Sequence, residues 1–372
     1  MLMTSFRRSS RSRILRTAFL VFAALCTIDL LSLISTLSHQ QSARKEPPNV
    51  SGQRIFIASI HWNNELILRS NWNLAVLDLV EYFGSSNVYV SIYESGSWDA
   101  SKDALRELDR DLESAGVQRT ITLSDTTHKN EIQKPFAAGW IDTSRGRKEL
   151  RRIPYLSKLR NFALKPLREL AAQNVTFEKV LFLNDVVFRT EDVRQLLATR
   201  DAVTSTFPYF RSTASRNAMI SDQPVPVQSC WNGIVAFDAV PFYEPDPLEF
   251  RSIPDSLALQ HVEGSECCLI HADNPLTPTH GVWLHPNVRV GYSPEAYAAV
   301  NPDAFWPSVS QKILGIWKNR IWRWVTTTSL KDSTIKRRLR AWTKPNAEHP
   351  ELGAHCLINE MQVLIENGWA HV

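Results

Sequence analysis

The sequence predicts an α/β fold built on a mostly parallel central sheet, preceded by a single N-terminal transmembrane helix. Three observations lead there. Short unbroken apolar runs, above all Val180–Leu183, suit strands covered on both faces. Amphipathic helical stretches alternate with them, the order that right-handed crossovers produce. Near the N-terminus, 21 apolar-rich residues, Thr17–Leu37, follow Arg7, Arg8, Arg11, Arg13 and Arg16.

That segment is long enough, at about 1.5 Å per residue, to cross a hydrocarbon core of about 30 Å. Asp29 within it is costly. The arginines stay cytosolic, so the chain is expected to divide into a cytoplasmic tail (1–16), a membrane helix (17–37), a polar stem (38–53) with Pro47 and Pro48, and a lumenal body. A cleaved signal peptide is the alternative, but no clear small-residue cleavage site follows. Lumenal placement excludes nucleic acid, which a net charge of +4 does not suggest in any case. It also makes acceptors of Asn49-Val50-Ser51 and Asn174-Val175-Thr176, and allows one or two disulfides among Cys230, Cys267, Cys268 and Cys356, with the adjacent pair disfavoured. No Cys-x-x-Cys offers a zinc site.

In order, Arg54–Ile60 reads as a strand, Leu66–Phe83 as a helix ending at Gly84, Asn87–Tyr93 as a strand, Ser101–Ala115 as a helix closed by Gly116, and Gln118–Leu123 as a third strand. No Gly-x-Gly-x-x-Gly follows the first strand, which argues against a dinucleotide cofactor. Residues 124–152 read as an irregular loop over the site. Tyr155–Ala172 reads as a helix with Leu156, Leu159, Phe162 and Leu170 as its buried stripe and Lys158, Asn161 and Lys165 on another face. Such cations can meet phosphate or ribose, or form a solvated basic face.

The central strand, Lys179–Phe188, delivers Asn184 and Asp185 where apolar residues give way to polar ones. Ligands of open α/β sheets bind beyond the carboxyl ends of strands, and a carboxylate there can hold a divalent cation against a diphosphate. The bland alternative is an Asx turn. Glu191–Thr199 reads as a short helix, Asp201–Phe207 as a strand and 208–226 as a loop. Trp231 and Asn232 can stack on and hydrogen-bond a sugar, with Gly233 permitting close approach. Glu266, His271 and Asp273 flank a short apolar element and supply acid–base or metal-ligand types. The C-terminal part (301–372) departs from this rhythm. Ser308–Trp324 reads as helical. From Lys318 to Lys344 nine Lys/Arg face one acid, Asp332, with Trp317, Trp322 and Trp324 interleaved, a surface for headgroups or acidic polysaccharide if not merely solvated.

Taken together, Arg54–Ala58, Val90–Ser95, Arg160-Asn161, Phe182–Val186, Cys230–Gly233 and Glu266–Leu269 carry a resemblance. In order and spacing they are similar to the fungal capsule-associated mannosyltransferases, across residues 54 to about 292. The resemblance implies a GT-A-like fold over 54–300, a Golgi type II membrane location, GDP-mannose as donor, Mn²⁺ or another divalent cation, a glycan acceptor and an α-linked product, α-1,3 in the typical member. It assigns Asp185 to the metal, with His271, Asp273 or His285 as second ligand. It places Glu94, Lys158, Arg160, Asn161 and Asn184 at the nucleotide sugar, and Trp231, Asn232 and Gly233 at the sugar or acceptor. Glu266 is assigned to the anomeric centre, with Asp273 as a further catalytic carboxylate. Asn184-Asp185-Val186 stands where such enzymes carry Asp-x-Asp, leaving one carboxylate. A non-catalytic factor for polysaccharide synthesis or export on the same fold, and a glycoside hydrolase needing paired carboxylates about 5–10 Å apart, are the competing classes.

Overall fold

The computed structural model describes residues 16–17, 19–31, 49–198, 212–220, 223–231, 233–301, 314–315, 317–318, 321, 328–345 and 350–372. Five strands form the central sheet: β1 (Ile55–His61), β2 (Val88–Ser95), β3 (Gln118–Ser124), β4 (Lys179–Leu183) and β5 (Ile234–Asp238). Their order is β3-β2-β1-β4-β5, with the first four parallel and β5 antiparallel to β4. Residues 55–59 of β1 and 180–183 of β4 are buried without interruption, as apolar runs covered on both sides require.

One face of the sheet is covered by α1 (Asn73–Phe83), which continues a π-helical turn at Leu68–Trp72, and by α2 (Ser101–Ser114). Val76, Leu79, Leu105 and Leu108 pack there on Ile57, Val90 and Leu181. The other face is covered by α3 (Arg152–Ala171), whose Ala163, Leu164 and Leu167 meet Phe56, Val180 and Phe182. The expected stripe on this helix is therefore shifted. Phe162 is exposed, and Leu159, Ala163, Leu164 and Leu167 face inward together with Arg160. A further helix, α4 (Thr190–Ala198), returns to the α1 face. Because α1 and α2 lie on one side and α3 on the other, the winding reverses between β1 and β4. The crevice beyond their carboxyl ends is the place such a sheet offers a ligand.

Several expectations change. Residues 124–152 are not irregular: they hold a helix, His128–Ile132, and a hairpin of Trp140–Asp142 with Lys148–Leu150. The 208–226 loop contains a helix, Thr213–Ile220, and a strand, Val225–Val227. The expected strand Asp201–Phe207 lies outside the described residues, as does most of the expected helix Ser308–Trp324. The expected membrane segment is helical at residues 19–31, and its residues 32–37 lie outside the description. Among the described residues no helix is long and apolar enough to cross a membrane.

Beyond the sheet, α5 (Glu266–Asp273) joins the core through Ile270 and a second cluster through Leu269. That second cluster receives the C-terminal region: Trp342 from α6 (Thr328–Thr343), then Cys356, Leu357 and Met361. A disulfide joins Cys268 to Cys356, one of the pairings left open by the sequence. Much of the basic stretch lies on the solvent side of α6, where Lys331, Lys336, Arg337 and Arg340 are exposed. The chain ends in an antiparallel hairpin of Gln362–Ile365 with Gly368–His371. Its Leu364 packs on Leu150, Tyr155 and Leu159, beside Ile60 and Tyr93 near the carboxyl ends of β1 and β2. Below it the buried Arg151 guanidinium binds Glu263 at 2.9 and 3.0 Å and Asp255 at 2.6 Å, fastening this layer to the main body.

Candidate active site

At the reversal of winding, β4 ends at Leu183, and Asn184-Asp185 follow it beyond the carboxyl end of the sheet, both half-buried. Asp185 Oδ2 accepts a 3.0 Å hydrogen bond from Asn64 Nδ2 in the loop after β1. Burial holds the Asp185 carboxyl above the usual range, opposed by its hydrogen bonds, including that from Asn64, and by the charge of Arg160. Asn64 is itself fixed: its Oδ1 takes the Trp62 amide at 3.0 Å and lies 3.3 Å from His61 Nδ1. His61 is locked by Ser59, whose hydroxyl is 2.9 Å from Nε2 and donates to the Leu183 carbonyl at 2.6 Å. The Trp72 indole donates to the Asn184 carbonyl at 3.0 Å, tying the π-helical turn to the end of β4.

Arg160 reaches this point from α3. It is buried, with Nε on Glu266 Oε1 at 3.0 Å and Nη1 on Asn184 Oδ1 at 3.3 Å. Its guanidinium lies over Trp231 at 4.6 Å and Phe182 at 4.9 Å. Burial works against its charge, yet the acidic groups around it, Cys267, Glu266 and Asp185, hold it above its ordinary value. Glu266 stands at the first turn of α5, capped by Ser265, and its Oε1 also receives the Cys267 thiol at 3.3 Å. Asn64, Asn184, Asp185, Arg160 and Glu266, from four separate segments, thus form one connected set.

The remaining candidates fall differently. Glu94, at the end of β2, is fully buried; it accepts the Ser97 amide and has Lys102 Nζ at 3.9 Å. Lys158 points away, toward Glu131 at 3.4 Å. Asn161 spends both ends of its amide on the Phe250 backbone, at 2.8 and 2.9 Å. Trp231 is wedged between Phe182, Phe237 and Phe250 beneath Arg160. Asn232 lies outside the described residues. Gly233 has φ +103°, and a Cβ there would come within 2.7 Å of Val290 and 2.8 Å of Val186; the missing side chain is already packed by protein.

Two assignments are corrected by geometry. His271 was expected beside Asp185. Its ring instead lies by Phe237 (5.3 Å), with Nε2 3.2 Å from the Cys230 carbonyl. Phe237 pairs with Val180, five residues before Asp185, which is about 16 Å along a strand. His271 there lines a cavity of 330 Å³ with Lys179, Asp238 and His280, at the far end of the sheet. Asp273 is held by Arg251 at 2.6 and 2.8 Å, and the same guanidinium binds Glu351, so this carboxylate serves an ion-pair cluster. His285 is likewise engaged, its Nδ1 accepting the Asn287 amide at 3.1 Å. Among the described residues the only set of three His, Cys, Asp or Glu ligands is Cys268, His355 and Cys356, and its two sulfurs form the disulfide.

Among the described residues, a divalent cation here would be held by the carboxylate of Asp185 alone, the rest of its oxygen shell coming from outside the protein, as Mg²⁺-type sites commonly do. The raised Asp185 pKa suits this role, since a cation would favour the ionised form that burial penalises.

Burial pulls His61, His128, His271 and His285 down to about 4, so they stay neutral in the folded chain while the unfolded chain protonates near 6.5. The unfolded state then binds more protons in that window, and stability rises with pH. Set against His→Asn variants, in which the opposing contribution of buried carboxylates such as Asp185 and Glu94 cancels, wild-type denaturant melts are expected to lose stability progressively from pH 6.5 toward 4, by up to about 1.4 kcal/mol per pH unit for each histidine. A flat profile would mean that these rings are hydrated.

Comparison with known proteins agrees with this arrangement at the family level. A sequence profile described as "Cryptococcal mannosyltransferase 1" matches residues 54–205 and 200–273, more than half the chain. The match takes in β1 through α5 and every member of the connected set. No curated protein matches. Among solved structures, the mannosyltransferase PcManGT of Pyrobaculum calidifontis, in complex with GDP-Man and Mn²⁺, is similar at 11% identity and a TM-score of 0.37, over 87% of this chain and 85% of that one. S. aureus TarS 1–349, in complex with UDP, is similar at 11% identity and a TM-score of 0.39, over 86% of this chain and 98% of that one. Likenesses this remote bear no weight for the site. The chain belongs to the cryptococcal mannosyltransferase 1 family, a family of glycosyltransferases.

Proposed function

We propose that the chain transfers mannose from GDP-mannose to a glycan acceptor with retention, giving an α-linkage, α-1,3 as in the family's typical member. We place it as a single-pass type II Golgi membrane enzyme of capsule, cell-wall or glycoconjugate synthesis. Glycosyl transfer rests on the family; the donor, linkage and location rest on the resemblance and on the arginine-flanked apolar segment. The observation that carries the site assignment is the joining of Asp185, Asn184, Arg160 and Glu266 beyond β4, where the sheet reverses its winding.

In this reading the diphosphate lies against Asn184, Asp185 and Arg160. A bound divalent cation supplies charge neutralisation to the leaving diphosphate, and Asp185 would hold it. Asn64 keeps the Asp185 carboxylate aimed into the crevice. Arg160 presents a fixed positive charge to the diphosphate in a site with little water, where such charge acts strongly. It also orients Glu266, whose Oε1 is occupied by Arg160 and Cys267 while Oε2 has, among the described residues, only the Ser265 hydroxyl at 3.5 Å. Oε2 is thus the oxygen left to face the anomeric carbon and offset an oxocarbenium-like charge, or to act as nucleophile.

The lone carboxylate at Asp185 keeps a non-catalytic reading in play, and one experiment separates the two. The full chain in detergent is screened by thermal shift against nucleotide sugars, followed by release of GDP from GDP-mannose with and without Mn²⁺. Stabilisation and GDP release with GDP-mannose above UDP- and CMP-sugars support the transferase. Stabilisation without turnover would support the non-catalytic factor, and turnover of a glycan without any nucleotide sugar would support a hydrolase.

A further inference from the structure

The C-terminal hairpin brings a tryptophan to the edge of this site. Leu364 pairs with Trp369 and Gln362 with His371, so these four side chains share one face of the ladder, turned toward the start of α3. There the Arg152 guanidinium lies 3.8 Å from the centre of the Trp369 ring, and its Nη1 donates to Gln362 Oε1 at 2.6 Å. Arg152 Nε is buried with no hydrogen-bond partner. With one face under Arg152, Trp369 remains 45% exposed, leaving its other face and edge to solvent. Glu360, joined to His371 at 2.9 Å, stands beside it. Arg152 stands on α3 eight residues, about 12 Å, before Arg160, and Leu364 of the hairpin packs beside Ile60 and Tyr93 near the carboxyl ends of β1 and β2, which sets the indole at the rim of the site.

We propose that this hairpin face is the acceptor subsite, with a pyranose ring of the glycan stacked on the open face of Trp369 and its hydroxyls met by Arg152 and by Glu360 Oε2, both held in place by Gln362. This inference rests on the glycosyltransferase reading above. A pyranose has an apolar C–H face and a rim of hydroxyls, and an exposed indole ringed by polar side chains is its complement. A nucleotide is drawn instead to Asp185 and Arg160, where a cation and a guanidinium can meet its phosphates. The hairpin is a separate ladder from the central sheet, stapled near the site by Arg151, whose backbone bridges Val363, and by the Cys268–Cys356 disulfide, so it can shape an acceptor site without disturbing the donor site.

The test uses the full chain in detergent and an α-linked mannotriose as probe, with binding followed by saturation-transfer NMR and titration calorimetry. Trp369→Ala is expected to weaken mannotriose binding by about tenfold or more, while Trp369→Phe, which keeps a platform, stays within about threefold. The thermal shift produced by GDP is expected to be the same in all three proteins. Equal mannotriose binding by wild type and Trp369→Ala, or loss in the Phe variant as severe as in the Ala variant, overturns the proposal. If GDP gives no shift in the wild type while mannotriose binding still depends on Trp369, the transferase reading fails and the platform stands.

Discussion

Asn in place of Asp185 is expected to cut mannosyl transfer by at least about a hundredfold while leaving the fold as stable as before. The carboxylate is partly buried and its pKa is raised by that burial, so ionisation at neutral pH costs stability rather than adding to it. A group raised in this way stabilises the fold only while protonated, at low pH, and that contribution is lost as pH rises through its folded pKa. A neutral amide of the same shape removes the cost and can still accept from Asn64. The melting temperature of Asp185→Asn is therefore expected to equal or exceed that of wild type at pH 7. Activity that survives, measured as GDP release with saturating Mn²⁺, would remove Asp185 from the site. A large drop in melting temperature would show that the side chain is structural.

Arg160→Met is expected to do the opposite to stability. It leaves Glu266 as a buried carboxylate without its cation, a change that costs about 3–5 kcal/mol in a buried pair. It also withdraws the hydrogen bond to Asn184 and the charge stacked on Trp231. Transfer is lost along with it. The double variant Arg160→Met, Glu266→Gln is expected to recover much of the stability and none of the activity, because the stranded charge has gone but the site has not been rebuilt. Arg160→Lys is expected to fold and to transfer poorly, since an ammonium cannot serve Glu266 and Asn184 through two nitrogens while lying flat on an indole. Additive losses in the double variant would mean that the two side chains are not a working pair.

These two residues also show what the sequence made legible. Asp185 was visible because it ends a four-residue apolar run, and such runs are read directly as strands covered on both faces. Arg160 was visible only as a cation on a helix near that strand. Its partner Glu266 lies 106 positions away, and no spacing rule joins residues brought together by packing. Asn64 sits in a polar stretch, His61–Glu65, that carries no motif. The signal that points to it is topological: in a sheet whose winding reverses between β1 and β4, the loop after β1 faces the end of β4. His271 and Asp273 are set apart from Glu266 because Glu266–Asp273 is a helix: Asp273, seven residues on, returns to the face of Glu266 but about 10 Å along the axis, where Arg251 holds it. Five residues along a helix of 3.6 per turn carry His271 well round the axis from Glu266, toward Phe237 and the opposite end of the sheet. The hairpin is signalled by Val363–Ile365 and the Asn367-Gly368 turn that follows, but a three-residue apolar run does not place a strand by itself. Its burial comes from Ile60, Tyr93 and Tyr155, which are remote in sequence.

The central claim is that a nucleoside diphosphate and its cation lie between Asp185 and Arg160, and a crystal of the protein soaked with GDP and Mn²⁺ addresses it directly. The account predicts one manganese anomalous peak in coordination range of an Asp185 oxygen, with diphosphate oxygens completing its shell and Arg160 against the same diphosphate. Manganese bound instead beside His271 in the cavity at the far end of the sheet, or GDP bound away from Arg160, would contradict it.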